Sequence, residues 1–332
     1  MRPVLGLVLV ALVGLPAAQS IGPKPAVPID PVTAIVDAFH SYSIVALGEP
    51  HGNEQAAAFR VALIRDPRLR ARVNDIVIES GNSRFQDVVD AFVSGRSVPD
   101  ARLRQVWQDT TVANFVWERP IYEQFLRAVR GVNVPLPKPK QLRVLLGDPP
   151  IDWSAVHTTD DLRRWQVQRD SSAASIVRDQ VLAKGRRALV IYGEAHLWRH
   201  SGDNNLVSRL EGDGTRVFTI STPILTDLAS VQPSVSGWPR PSVALLAGTL
   251  IGAQNFQRLF GFPGADAARY EDQADAVLYV GSPSSMTTSR LPAALCADGQ
   301  YVAMRVARMA LDSGSSASAV SAEIPKSECA TR

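Results

Sequence analysis

The sequence predicts an α/β fold, a mainly parallel sheet with helices on both faces and two halves that each carry a Gly-Glu-x-His motif. Three observations lead there. Short β-branched runs alternate with amphipathic helical stretches along the chain. An apolar run followed by Gly-Glu-x-His occurs twice, in Ile44–His51 and Leu189–His196, 145 positions apart. Two further apolar runs, Ile76–Ile78 and Val144–Leu146, end on the acids Glu79 and Asp148.

Taken in order, Arg2 precedes the apolar run Val4–Leu15 and the small-residue stretch Ala17-Ala18-Gln19-Ser20, which reads as a signal peptide over residues 1–20. That run falls short of the roughly 20 residues a spanning helix needs, and no later segment does better. The expectation is a secreted or periplasmic protein with no stable membrane span after cleavage. Cys296 and Cys329, the only cysteines, can pair there and pin the C-terminus; two free thiols are the alternative.

Residues 21–34 are Pro-rich and read as an extended lead-in, with a helix beginning near Pro31. The main α/β domain is assigned to 35–295 and a C-terminal tail to 296–332, its Ser-rich part after Leu311 expected to be mobile. Strands are predicted at 43–47, 75–79, 142–146, 188–192, 216–220 and 276–280. Asn53 is placed as the cap of a helix through Ile64, with Glu54 in its first turn. Further helices are predicted at 85–93, 101–112 and 119–130, and one long polar helix from Asp160 to Ala183. The Pro- and Gly-rich stretch 221–270 is left unassigned.

Charge excludes one class of partner. Lys and Arg number 35 against 32 Asp and Glu, and no run of five or six basic residues is present to track a phosphate backbone. The expected partner is a small-molecule substrate, and nucleic acid is not.

Ligands of open α/β sheets sit beyond the carboxyl ends of the strands, so the four strands would deliver Glu49, His51, Glu79, Asp148, Glu194 and His196 to one mouth. If the chain stays extended past each Gly, Glu and His two residues apart point the same way; Pro50 favours that form in the first motif. So many carboxylates need a counter-charge. Arg84 and Arg119 are the candidate cations, although Arg119 reads equally as a surface helix residue. A divalent metal on Glu49, His51, Glu194 and His196 is the other solution, since His and carboxylate ligands suit Zn or Mn. His40, His157 and His200 lack a comparable setting and read as surface residues; Trp153, Trp165 and Trp198 read as core or pocket lining.

These segments, together with Asp75–Ser80, Leu145–Asp148 and Asp275–Val280, resemble the erythromycin esterase/ChaN-like group, related to the TIKI and TraB proteins. The resemblance spans roughly residues 35–290. It implies an α/β fold with Glu49, His51, Glu79, Glu194 and His196 in one cleft. It also implies one of three chemistries: metal-free hydrolysis by a histidine base, a metal-dependent peptidase, or haem uptake. The cofactor is accordingly none, a divalent metal or haem, for which Tyr122 and Tyr192 are the conceivable ligands. With no Gly-x-Ser-x-Gly elbow and no cysteine in a motif setting, a covalent serine or cysteine mechanism is disfavoured. The late Asp275–Val280 segment is most similar to the esterase branch, so the resemblance implies an ester or amide hydrolase. In it His51 takes a proton from water, Glu49 or Glu79 orients the imidazole, and His196 or Arg119 steadies the oxyanion.

Overall fold

The computed structural model describes residues 22–199, 204–261, 268–323 and 329; residues 1–20, read above as a signal peptide, and His200 lie outside them. Seven strands form one sheet in the order β3-β2-β4-β1-β5-β7-β6. They are β1 (Ile44–Gly48), β2 (Asp75–Asn82), β3 (Arg143–Asp148), β4 (Ala188–Tyr192), β5 (Val217–Ser221), β6 (Ser242–Leu245) and β7 (Ala276–Tyr279). All pairings are parallel except that of β6 with β7. Each of the first five strands is buried along nearly its whole length, as expected where helices cover both faces.

Alternation along the strands sorts the core into two layers. Leu47, Ile78, Leu146 and Ile191 face the helices Glu54–Arg65, Gln86–Val93 and Pro120–Asn133. Ala46, Val77, Leu145, Val190 and Tyr192 face the opposite layer, built from the helices Arg169–Ile176 and Leu206–Gly212. Each fully buried aliphatic side chain in these layers contributes roughly 1.5–3 kcal/mol relative to exposure.

Both sheet edges are closed. At the β3 edge, Gln86 acts as a substitute strand, donating through Nε2 to Val144 O (2.8 Å) and accepting from Leu146 N (2.9 Å). At the β6 edge, Ile29 exchanges two backbone hydrogen bonds with Val243, so the Pro-rich lead-in covers a surface that would otherwise recruit another strand.

Two local expectations are corrected. The long helix 160–183 is broken: Thr159–Gln166 and Arg169–Ile176 are separate, and a π-helical turn Val177–Val181 and a 3₁₀ turn Leu182–Lys184 follow. Helix 101–112 stops at Gln108, and beyond it Thr111 turns to Asp148, donating through N and Oγ1. The C-terminal segment, for which the sequence assigns no secondary structure, holds the helices Gly299–Ser313 and Ala317–Glu323, and Cys296 is bonded to Cys329. Among the described residues no helix is long and apolar enough to cross a membrane.

Candidate functional site

The two motifs are neighbours in the sheet, since β1 pairs directly with β4. Their register, however, is offset by one: Gly48 lies opposite Tyr192, not Gly193. A shift of one residue reverses which face a side chain meets. Glu49 therefore emerges on the face of Leu47, and Glu194 on the face of Tyr192.

On the first face, Glu49 Oε2 lies 2.5 Å from His51 Nδ1, a contact that favours the proton on Nδ1 and leaves Nε2 as the basic nitrogen of the neutral ring. The other Glu49 oxygen is held by Arg60 Nη2 (3.1 Å) and by the Tyr122 hydroxyl (3.3 Å). Glu49 and Arg60 are buried, whereas the His51 side chain is 38% exposed. Trp117 meets the His51 ring edge-on at 4.7 Å between centroids. Behind Glu49, a cavity of about 20 Å³ lined by Arg60, Glu79, Trp117 and Tyr122 has room for a single water. A larger molecule must approach His51 from its solvent side.

Glu79 is the hub between the two histidines. It lies 4.0 Å from His51 Nε2 and 3.4 Å from His196 Nε2, accepts from Gly193 N at 2.7 Å and is paired with Arg169. Gly193 permits this approach, because a Cβ there would stand 3.0 Å from the His51 ring and 3.1 Å from Glu79. His196 Nδ1 is 2.7 Å from Asp170, completing a second acid–histidine pair. Asp148 accepts from Thr111 N (2.7 Å) and Oγ1 (2.6 Å) and lies 3.8 Å from Arg169 Nε.

Charge follows from these contacts. Burial works against a charged His51, but Glu49 outweighs it and the imidazole titrates above its ordinary range. For His196, burial is likewise outweighed, here by the hydrogen bonds to Asp170 and Glu79, and the ring is pushed up to about 9. Burial would raise Glu79, yet the hydrogen bond from His196 and the charges of Arg169, His196 and His51 hold it well below the usual carboxylate range. Asp148 is pushed up by burial to about 7 despite Arg169 and Thr111.

Glu194 stands apart. The chain does not stay extended past Gly193 but enters a 3₁₀ turn, Glu194–His196. Its carboxylate accepts from Ser221 Oγ (2.7 Å), Thr222 N and Trp198 Nε1 (3.0 Å), in space left by Gly48, where a Cβ would fall 2.1 Å from Glu194 Oε1. Burial raises its pKa against those three donors. The quartet Glu49, His51, Glu194 and His196 therefore does not fit one cation, because the Glu194 carboxylate is committed to Ser221, Thr222 and Trp198 on the other face of the sheet. Among the described residues no group of three or more His, Cys, Asp or Glu side chains is arranged to hold a metal. Tyr122 and Tyr192 do not fit as haem ligands either, being 7% and 1% exposed beneath the site.

The cations differ from those expected. Arg84 pairs with Asp152 at 2.9 Å on the surface, and Arg119 donates to the Ser289 carbonyl, tying a rim segment beside Gly52. Arg60 and Arg169 are the guanidiniums that reach the acids, and Asp170 is the second histidine's partner; none of the three was singled out by sequence. Arg60 lies 11 positions from Glu49, on the helix that Asn53 caps, a signal that was available. Arg169 and Asp170 were hidden within the supposed continuous helix. His40 and His157 are exposed, as the sequence suggested.

No family model and no curated protein matches the chain. Among solved structures it resembles a Bacillus cereus protein at 11% identity and TM-score 0.50, over 80% of this chain and 96% of that one. It also superposes on the type III effector HopBA1 (11%, TM-score 0.45, 80% and 99% covered). A third superposition is on ChaN of Campylobacter jejuni, a structure of cofacial haem binding (12%, TM-score 0.43, 76% and 96% covered). The first is a likeness of fold alone, and nothing further rests on the two looser superpositions.

Proposed function

We propose that this chain is an exported hydrolase of the erythromycin esterase-like kind, cleaving an ester or amide of a small molecule with His51 as general base. The observation that carries the reading is the Glu49–His51 pair at 2.5 Å, with the His51 side chain 38% exposed, so that the neutral imidazole held by Glu49 through Nδ1 presents Nε2 as the base. Water gives a proton to Nε2 as its oxygen adds to the carbonyl carbon. The C–O or C–N bond then breaks, and His51 returns the proton to the leaving group. Glu49 holds the tautomer, and Arg60 and Tyr122 hold Glu49. His196, protonated up to about pH 9, supplies with Arg169 the positive charge against which the oxyanion develops. Since neither the metal quartet nor the tyrosine haem ligands fit, no step runs through either group. Export is supported by the Cys296–Cys329 disulfide, a bond of oxidising compartments.

The test is hydrolysis of a panel of esters and amides by wild type and His51→Ala. General-base help is worth about 10²–10⁴ in rate, so the variant should lose that much while remaining folded. Equal rates in the two proteins would overturn the assignment, and a pigment or ligand retained equally by both would favour a carrier.

A further inference from the structure

One loop supplies two walls of the site. Residues 109–119 connect the helices Asp100–Gln108 and Pro120–Asn133. Near its start, Thr111 holds Asp148. Near its end, Trp117 packs edge-on against both His51, at 4.7 Å, and Tyr122, at 4.9 Å. The loop has little regular structure of its own beyond the 3₁₀ turn Val116–Glu118.

The C-terminal helix Gly299–Ser313 grips it at both ends. Arg305 and Arg308 are three residues apart and so share a helix face. Arg305 pairs with Glu118 and donates through Nε to the Tyr301 hydroxyl (2.9 Å), which itself donates to Glu118. All three are buried, Arg305 completely. Arg308 donates to Gln108 O (2.9 Å) and Asp109 Oδ1 (2.7 Å), its guanidinium 4.2 Å above the Trp153 ring. The first half of the loop has other ties, from Asn82 to Asp109 O (2.6 Å) and from Trp153 to Thr110 O (3.0 Å). At its far end, Arg119 donates to the Ser289 carbonyl, and the Arg305–Tyr301–Glu118 cluster is the buried polar anchor beside Trp117.

We propose that the helix Gly299–Ser313 is a clamp on the site loop, with Arg305 as the positioning residue that keeps Trp117 against His51 and Arg308 as a secondary hold on the Asp148 side. The inference concerns the site of the proposed hydrolase, but its geometry stands without turnover. A buried ion pair commonly adds little net stability over an apolar pair of the same shape. What Arg305 contributes is orientation: a planar fork of donors that fixes Glu118, and with it the adjacent Trp117. The disulfide at Cys296 anchors the chain just ahead of this helix.

The test pairs a double variant, Glu118→Gln with Arg305→Met, with Arg308→Met, read by amide hydrogen exchange and imidazole NMR. Removing both buried charges together leaves neither unpaired. In the double variant, amides 115–119 should exchange about tenfold faster, a local opening without global unfolding. The His51 ring resonances should also lose their displacement by the Trp117 ring current, while those of His196 stay in place. Arg308→Met should accelerate amides 109–113 and leave His51 unmoved. Tyr301→Phe keeps the ion pair and should give the double variant's pattern at smaller amplitude, which decides the matter should the double variant not fold. A folded double variant, or Tyr301→Phe in its stead, with unchanged 115–119 exchange and unchanged His51 resonances overturns the proposal. Neither readout involves turnover, so failure of the hydrolase assignment and failure of the clamp are separate results.

Discussion

The two ends of the sheet treat buried charge differently. At the amino end of β2, Asp75 is fully buried between two guanidiniums, with Arg143 Nε at 2.7 Å and Arg186 reaching both oxygens at 2.7 and 2.8 Å. One acid meets two permanent cations, and no histidine takes part. At the carboxyl ends, Glu49, Glu79, Asp148 and Asp170 gather, with Glu194 on the other face, and among the described residues the guanidiniums paired with them are Arg60 and Arg169. Titratable groups make up the deficit: His196 keeps its proton, and Asp148 and Glu194 are raised toward the neutral form. A site short of fixed positive charge holds exchangeable protons, which acid–base chemistry requires; a saturated pair only fixes structure.

The sharpest test of that contrast sets His51→Ala against Asp75→Ala. The first should remove about 10²–10⁴ in rate with a smaller stability change, of about 1 kcal/mol, because Arg60 and Tyr122 still hold Glu49. Asp75→Ala should leave the chemistry intact and cost roughly 2–4 kcal/mol, since two guanidiniums lose their partner yet remain about one-third exposed. Rates together with urea unfolding of both variants check this, and similar profiles for the two would erase the contrast.

Next comes pH. The folded value of His196 lies near 9, above its ordinary 6.5, so its stabilisation is complete below pH 6.5 and is lost as pH rises through 9. The melting temperature should fall between pH 7 and 10, by an amount equivalent to roughly 2–3 kcal/mol. His196→Gln should flatten that slope, whereas Asp75→Asn should not. Glu79 acts on the acid side with the opposite sign: its depressed pKa gives stability that is present above pH 4.5 and lost as the pH falls further.

Activity should follow a bell over the same range. It should rise as His51 deprotonates above 6.5 and decline near pH 9 as His196 loses its charge. A single plateau to pH 10 in kcat/KM would remove His196 from the mechanism.

The smallest effect is expected from Arg143→Ala. Arg186 still holds both Asp75 oxygens and Arg143 is 35% exposed, so the cost should be no more than about 1 kcal/mol. A loss much above this in urea unfolding would show that the amino-end pair is less saturated than its geometry indicates.

Much of the frame was legible in the residues. Six of the seven strands lie where β-branched runs predicted them, and Asn53 caps its helix through a 2.8 Å bond to Ala56 N. The strand missed, β6, is a four-residue antiparallel edge strand behind Pro239 and Pro241, too short for a period to declare itself. Glu49, His51, Glu79 and His196 do come together. Glu194 does not, although its motif looked identical to the first.

Sequence alone determined the alternation of elements, the capped helix behind the first motif and the placement of acids and histidines at strand ends. These are local properties, set by periodicity, turn chemistry and side chains a few residues apart. Tertiary structure decided which acids share a space with which cations. A one-residue offset between β1 and β4 sent Glu49 and Glu194 to opposite faces. Arg169 and Asp170, about 90 and 26 positions from the groups they serve, became site residues through a break in a helix. Register and long-range pairing are settled by the packing of both sheet faces at once, and no single segment carries that information.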